Sequence, residues 1–326
     1  MKKVVYIWCC DKNHNSGEGI LANKFIQDLK KYNPKYKFNI KLPSKGEFDL
    51  LRKFLGKTID RLFIPIQGIF YLWLIYFQKK NIKLCYVNYL PLWNPLLFIL
   101  MPPNTILGPI TGGSKFLKKP FLNYIIRKYF FSLLYKISIK ILDLRQKKIF
   151  FSTSLLKKEF KKNKKHFYDY VLKDFKIINK QKQRKYDLIF YLREHKNKNT
   201  TLQINLAKKL CNQFKIITIG KKVNHPNIKN FGYISRAKLY TILQETKYSF
   251  ISPENNLSFF AIDSVSNGTY IFSDDRRNIF KNKVKINYEK HAQLLQIINN
   301  VLSGKYHIAK NFYLEDKNNY FNYFKI

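Results

Sequence analysis

From Leu188 to Leu302 the sequence keeps returning to one pattern: a short apolar run, a glycine or polar break, then a stretch with apolar residues on one helical face. Strands are expected at Leu188–Leu192, Lys215–Ile219, Ile228–Phe231, Tyr248–Ile251 and Tyr270–Phe272. Helices are expected at Thr201–Gln213, Arg236–Gln244, Phe259–Val265 and Tyr288–Leu302. Strands without polar alternation are covered on both faces, and strands that alternate with helices join through crossovers. The pattern therefore demands a doubly wound parallel sheet.

The first half carries the same pattern less cleanly. The run Lys3–Cys10 reads as a buried strand, Asp11–Gly19 as a loop and Ile20–Tyr32 as a helix with Leu21, Phe25 and Leu29 on one face. Further helices are expected at Phe48–Leu55, Leu62–Phe77 and Phe121–Leu144, and strands at Lys83–Asn88, Thr105–Leu107 and Lys148–Thr153. Ser152 or Thr153 is expected to cap a helix running through Phe160. Gly108 to Gly113 reads as a loop whose glycines permit a close approach. A polar, lysine-rich stretch from Lys176 to Lys185 separates the halves. The expected organisation is two Rossmann-like domains over residues 1–180 and 181–305, facing a cleft, with a segment 306–326 crossing back to the first.

Composition narrows the class. With 46% hydrophobic residues in 326, disorder is excluded and two domains of ordinary size are affordable. The 61 basic residues outnumber 20 acidic ones, for a net charge of +41, so polyanions or anionic lipid are natural partners. A coding-level bias toward Lys, Asn, Ile, Phe and Tyr accounts for the same count. Nucleic-acid binding is a second function class, yet the chain has no zinc module, no RNP-like aromatic motif and no basic heptad region. Cys9, Cys10, Cys85 and Cys211 show no metal-ligand spacing and read as reduced core thiols, and no metal site is expected. The opening Met1-Lys2-Lys3 leads into too short an apolar run for a signal sequence, which makes the expected location cytoplasmic. The longest apolar stretch, Leu62–Phe77, is too short to span a bilayer and reads as a buried or interfacial helix.

Two loops carry the candidate chemistry. The polar segment Ser252 to Ser258 opens onto the helix at Phe259, whose unpaired N–H groups and dipole favour a pyrophosphate. Glu254, Asn255, Asn256, Leu257 and Ser258 line that approach, and Asp263 lies one turn deeper, where it could accept hydroxyl hydrogen bonds. Directly after the first strand of the same half stand Arg193 and Lys198, fixed cations of the kind a departing diphosphate requires. The plainer alternative is that both belong to a solvated lysine-rich loop. None of the histidines, His195 included, pairs with a nucleophile.

These segments resemble the glycosyltransferase family 4 type of retaining enzymes, also called glycosyl transferases group 1, which have the GT-B fold. That family carries two acids eight positions apart, then a small-residue helix and a glycine. Asp263 and Gly268 match the second acid and the glycine, whereas the first acid is replaced by Asn255, with Glu254 beside it. Arg193 and Lys198 match the family's pyrophosphate clamp, and the stretch Asn227 to Ser235, with Gly232 in it, is similar to the segment near the nucleotide base. The loop Gly17-Glu18-Gly19 and Asn88 match positions on the acceptor side, although a tight turn would use the same residues. Ala22 breaks the GxGxxG fingerprint, so NAD is not expected.

The resemblance implies a metal-independent transferase that needs no cofactor. Its donor is a nucleoside-diphosphate sugar and its acceptor a glycan or lipid-linked glycan, with retention, in cell-surface polysaccharide synthesis. Asn255 also allows a scaffold that kept the fold and lost turnover. The basic, aromatic segment Phe116–Leu144 suits an anionic membrane surface, and it equally suits a core helix with snorkelling lysines.

Overall fold

The computed structural model describes residues 3–13, 16–43, 60–79, 82–88, 90–110, 126–152, 166–167, 183–193, 200–252, 258–273, 283–288 and 290–304. The chain forms two compact units, each built on its own sheet. The expected boundary near residue 180, the helices at Phe48–Leu55 and Thr153–Phe160, and the segment 306–326 lie outside the described residues.

In the first unit the elements run β1 (Val4–Cys9), α1 (Gly17–Tyr32), β2 (Lys37–Lys41), α2 (Asp60–Gln78), β3 (Lys83–Val87), α3 (Pro95–Leu100) and β4 (Ile106–Ile110). A single π-helical turn, Ile126–Phe131, then leads into α4 (Ser132–Arg145), β5 (Ile149–Phe151) and β6 (His166–Phe167). All strands are parallel, in the order β2-β1-β3-β4-β5-β6. The chain thus starts inside the sheet and winds outward in both directions.

α1 begins earlier than the apolar pattern implies. Ser16 caps it by accepting a hydrogen bond from the Gly19 N–H at 2.8 Å, which draws the glycines into the first turn. α2, α3 and α4 contribute Ile69, Leu72, Leu97, Phe98 and Leu142 to one cluster with Tyr6, Trp8 and Tyr86, so these three helices cover one face of the sheet. Gly68 lets α2 descend onto that face, because a Cβ there would stand 2.2 Å from the Trp8 indole nitrogen.

β4 corrects the sequence reading. The strand continues through Gly108-Pro109-Ile110, where a loop is expected, and its register against β5 shifts between Leu107 and Ile110. A Cβ on Gly108 would meet the Phe150 Cβ at 2.7 Å. That glycine therefore accommodates the neighbouring strand, and residues 111–113 lie outside the described ones.

The second unit runs β7 (Tyr186–Leu192), α5 (Thr200–Leu210), β8 (Ile216–Gly220), β9 (Ile228–Asn230), α6 (Arg236–Gln244), β10 (Thr246–Phe250), α7 (Phe259–Ser266), β11 (Tyr270–Ser273), β12 (Lys283–Lys285) and α8 (His291–Ser303). Its strands are also parallel, in the order β12-β11-β10-β7-β8-β9. Leu188, Phe190, Leu192, Phe250 and Phe272 pack against Leu202, Leu206, Leu294 and Ile298 from α5 and α8. The edge strands β6 and β12 escape the sequence pattern because they are two and three residues long, and β12 is Lys-Val-Lys. An edge needs neither length nor two apolar faces.

Candidate functional site

In a doubly wound sheet, ligands gather beyond the carboxyl ends of the strands at the point where the winding reverses. In the second unit that point lies between β7, which winds outward through β8 and β9, and β10, which winds outward through β11 and β12. Arg193 follows β7 directly, and the segment after β10 leads into α7. The two loops singled out from the sequence therefore leave adjacent central strands at the carboxyl end of one sheet.

Arg193 is exposed, with its guanidinium carbon 5.4 Å from the Tyr191 ring centroid. Its carbonyl accepts a hydrogen bond from the Thr200 hydroxyl at 2.6 Å, tying the base of this loop to the start of α5. Tyr191 also lies against Phe260 of α7, with centroids 5.3 Å apart, so one ring links the arginine to the helix. Ser258 caps α7 by accepting from the Ala261 N–H at 3.2 Å. Lys198, Glu254, Asn255, Asn256 and Leu257 lie outside the described residues.

Asp263 has a different setting from the one its position suggests. Only 4% of it is exposed, and Arg236 at the start of α6 holds it with both arms, Nε to Oδ2 at 3.0 Å and a terminal nitrogen to Oδ1 at 2.6 Å. The Tyr240 hydroxyl adds a bond to Oδ1 at 3.2 Å. Burial pushes the Asp263 carboxyl up, while Arg236 and Tyr240 pull it back toward ionisation. Burial together with the nearby carboxylate raises the Tyr240 phenol to about 12. The Arg236 side chain is 44% exposed, and its guanidinium also faces the Phe259 and Tyr240 rings. Arg236 is thus the solvent-facing member of the pair.

The carboxyl ends of β7, β8 and β9 are laced together. The Gly220 N–H donates to the Gly232 carbonyl at 2.8 Å and the Lys221 N–H to the Leu192 carbonyl at 2.9 Å. Both glycines have positive φ, +86° and +66°. A Cβ on Gly220 would come within 2.1 Å of the Leu192 carbonyl oxygen, whereas one on Gly232 would meet only the Lys222 side chain, at 3.9 Å. Gly232, expected near a base, is required for its backbone conformation and leaves open space. Gly220, Tyr191, Arg236 and Tyr240 contact the candidate residues or their strands and are not singled out by the sequence.

The first unit has a corresponding reversal between β1 and β3. There the structure brings together Glu18, Gly19 and Asn88. Asn88 is fully buried with φ +69°, and its Nδ2 donates to the carbonyls of Asp11 at 2.7 Å and Glu18 at 3.1 Å. It therefore joins the end of β3 to the loop after β1. Gly19 accommodates that loop, since a Cβ would stand 2.1 Å from the Asn13 carbonyl oxygen. Gly17 is the first residue of α1. Burial, with the nearby Asp11, raises the Glu18 carboxyl above the usual range.

No protein-family model matches the chain, and no curated protein matches it in sequence. Solved structures match it in fold. The chain superposes on TarM with a TM-score of 0.54 at 10% identity, covering 93% of each chain. It superposes on HepE of Anabaena, solved with UDP-glucose, with a TM-score of 0.53 at 9% identity, covering 92% of this chain and 90% of that one. This protein has the GT-B fold. Sucrose-phosphate synthase from Thermosynechococcus elongatus matches comparably, with a TM-score of 0.52 at 10% identity over 92% of this chain and 90% of that one. At such identities the GT-B likeness is one of fold.

Proposed function

We propose that this chain is a glycosyltransferase that moves a sugar from a nucleoside-diphosphate sugar to a glycan or lipid-linked acceptor, with its donor site in the second unit. One observation carries the reading: an exposed arginine and the capped N-terminus of α7 sit at the carboxyl ends of adjacent strands, where the winding reverses. The helix terminus alone contributes only about 0.3–1 kcal/mol to holding an anion. Charge-assisted hydrogen bonds of about 1.5–3 kcal/mol each are needed besides. Arg193 supplies them, with Lys198 as its partner.

In the reaction, the bond between the anomeric carbon and the diphosphate oxygen breaks, and the leaving oxygens gather negative charge that Arg193 and Lys198 stabilise. The acceptor hydroxyl forms the new bond on the same face, and its proton passes to the departing phosphate, giving retention. This assignment needs neither a metal nor a separate protein base. Arg236, braced by Asp263, faces the ribose, and the loop from Glu254 to Ser258 meets the sugar. Gly17, Glu18, Gly19 and Asn88 shape the acceptor side. The work proposed for it is cytoplasmic cell-surface polysaccharide synthesis within the glycosyltransferase family 4 type. HepE, solved with UDP-glucose, supports the choice of donor class.

A thermal-shift screen of UDP-, GDP- and ADP-sugars tests the reading, because a ligand specific to the native state raises the melting temperature. One nucleotide series should shift it in proportion to log concentration. Binding without turnover would assign the scaffold role. Failure of every series, together with salt-sensitive binding of nucleic acid, would overturn the donor site.

A further inference from the structure

Eighteen large hydrophobic side chains are exposed among the described residues, and sixteen of them fall between Phe63 and Leu144, on α2, α3, α4 and their flanks. Scattered exposure of this kind is ordinary, but concentration in one layer marks an interaction face. Along α2, Pro65, Gly68, Ile69 and Leu72 are buried against the sheet, while Ile66, Phe70, Leu74 and Phe77 are exposed at intervals of three and four residues. This helix is apolar on both sides, and only one side is used by the core. Leu96 on α3 and Leu144 on α4 are 63% and 85% exposed. Because the three helices cover the same sheet face, their outward sides form one layer. The Trp73 indole N–H donates to the Leu100 carbonyl at 2.7 Å, fixing α2 to α3 within it.

The charge around this layer selects its occupant. Among the described side chains of these helices and the residues that directly follow them, Lys79, Lys136, Lys140 and Lys147 are exposed, and Asp143 is the one acid. Lys136 and Lys140 are exposed on α4 between its apolar positions. A second copy of the chain would bring like charges face to face, which disfavours a self-interface. An anionic bilayer complements both properties, taking the apolar side chains into the headgroup and acyl boundary and the lysines onto its phosphates. No helix among the described residues is long and apolar enough to cross a membrane.

We infer that the outward layer of α2, α3 and α4 docks this protein on an anionic lipid surface, independently of any donor bound to the second unit. Flotation of the full chain with vesicles tests this, comparing phosphatidylcholine alone with phosphatidylcholine carrying about one-third phosphatidylglycerol. Binding is expected only to the anionic vesicles. The double variant Phe70→Ser, Phe77→Ser and the double variant Lys136→Glu, Lys140→Glu should each lower the bound fraction by about tenfold or more. All four positions are exposed, so melting curves should match the wild type. Trp93 is 43% exposed and Trp8 1%, so a blue shift of tryptophan emission on vesicle addition reports this layer. The inference is overturned if the wild type fails to float, if either variant floats as the wild type does, or if the wild type is a dimer that the phenylalanine variant dissolves.

Discussion

The pairing of Arg236 with Asp263 shows what a sequence hides at the scale of single residues. Asp263 stands out by its position in the helix after a polar loop, but its partner lies 27 residues earlier, and only folding brings them together. The visible hint is local: Ser235 followed by Arg236 at the opening of a helix. Replacing Arg236 with Ala leaves a buried carboxylate held by Tyr240 alone, at a cost of about 1–3 kcal/mol. Urea denaturation should show that loss, and Arg236→Lys should recover only part of it, because an ammonium cannot reproduce the two-armed contact. A stability unchanged by Arg236→Ala would mean that the pair is ornamental. The roles of Gly19 and Gly108 were open in the sequence, and the structure assigns both to contacts with the chain itself.

At the scale of elements, what could be read depended on how strongly each segment is patterned. α6 has the ends expected of it, because Ser235 caps a clean amphipathic stretch and β10 follows at once. β4 departs from the sequence pattern at Gly108-Pro109, residues that usually end a strand and here continue one beside a register shift. The edge strands β6 and β12 are too short to leave a periodic signal. The lacing of β7, β8 and β9 predicts that Gly220→Ala is costly. Its Cβ would collide with the Leu192 carbonyl at a backbone angle that disfavours any side chain, a penalty of about 1–3 kcal/mol. Since Leu192 precedes Arg193, the variant should also weaken nucleotide binding, whereas Gly232→Ala, strained but uncrowded, should cost less. Equal melting temperatures for the two variants would contradict this ordering.

For the whole molecule, alternating strands and helices are enough to dictate two parallel sheets, and the structure has them in the doubly wound orders that place reversal points at β1/β3 and β7/β10. Net charge is the property that sequence alone assigned least well, since +41 suits several partners. Only the fold shows that exposed apolar residues gather on the same helices as part of that charge. In the function we propose, the reversal point of the second unit holds a nucleoside diphosphate through Arg193. Calorimetric titration of the wild type and Arg193→Ala with the nucleotide sugar selected by thermal shift measures this directly. The expected result is a loss of about tenfold or more in affinity, worth at least about 1.4 kcal/mol, with an unchanged melting temperature of the free protein. Equal affinity in the two proteins would contradict the assignment of the site.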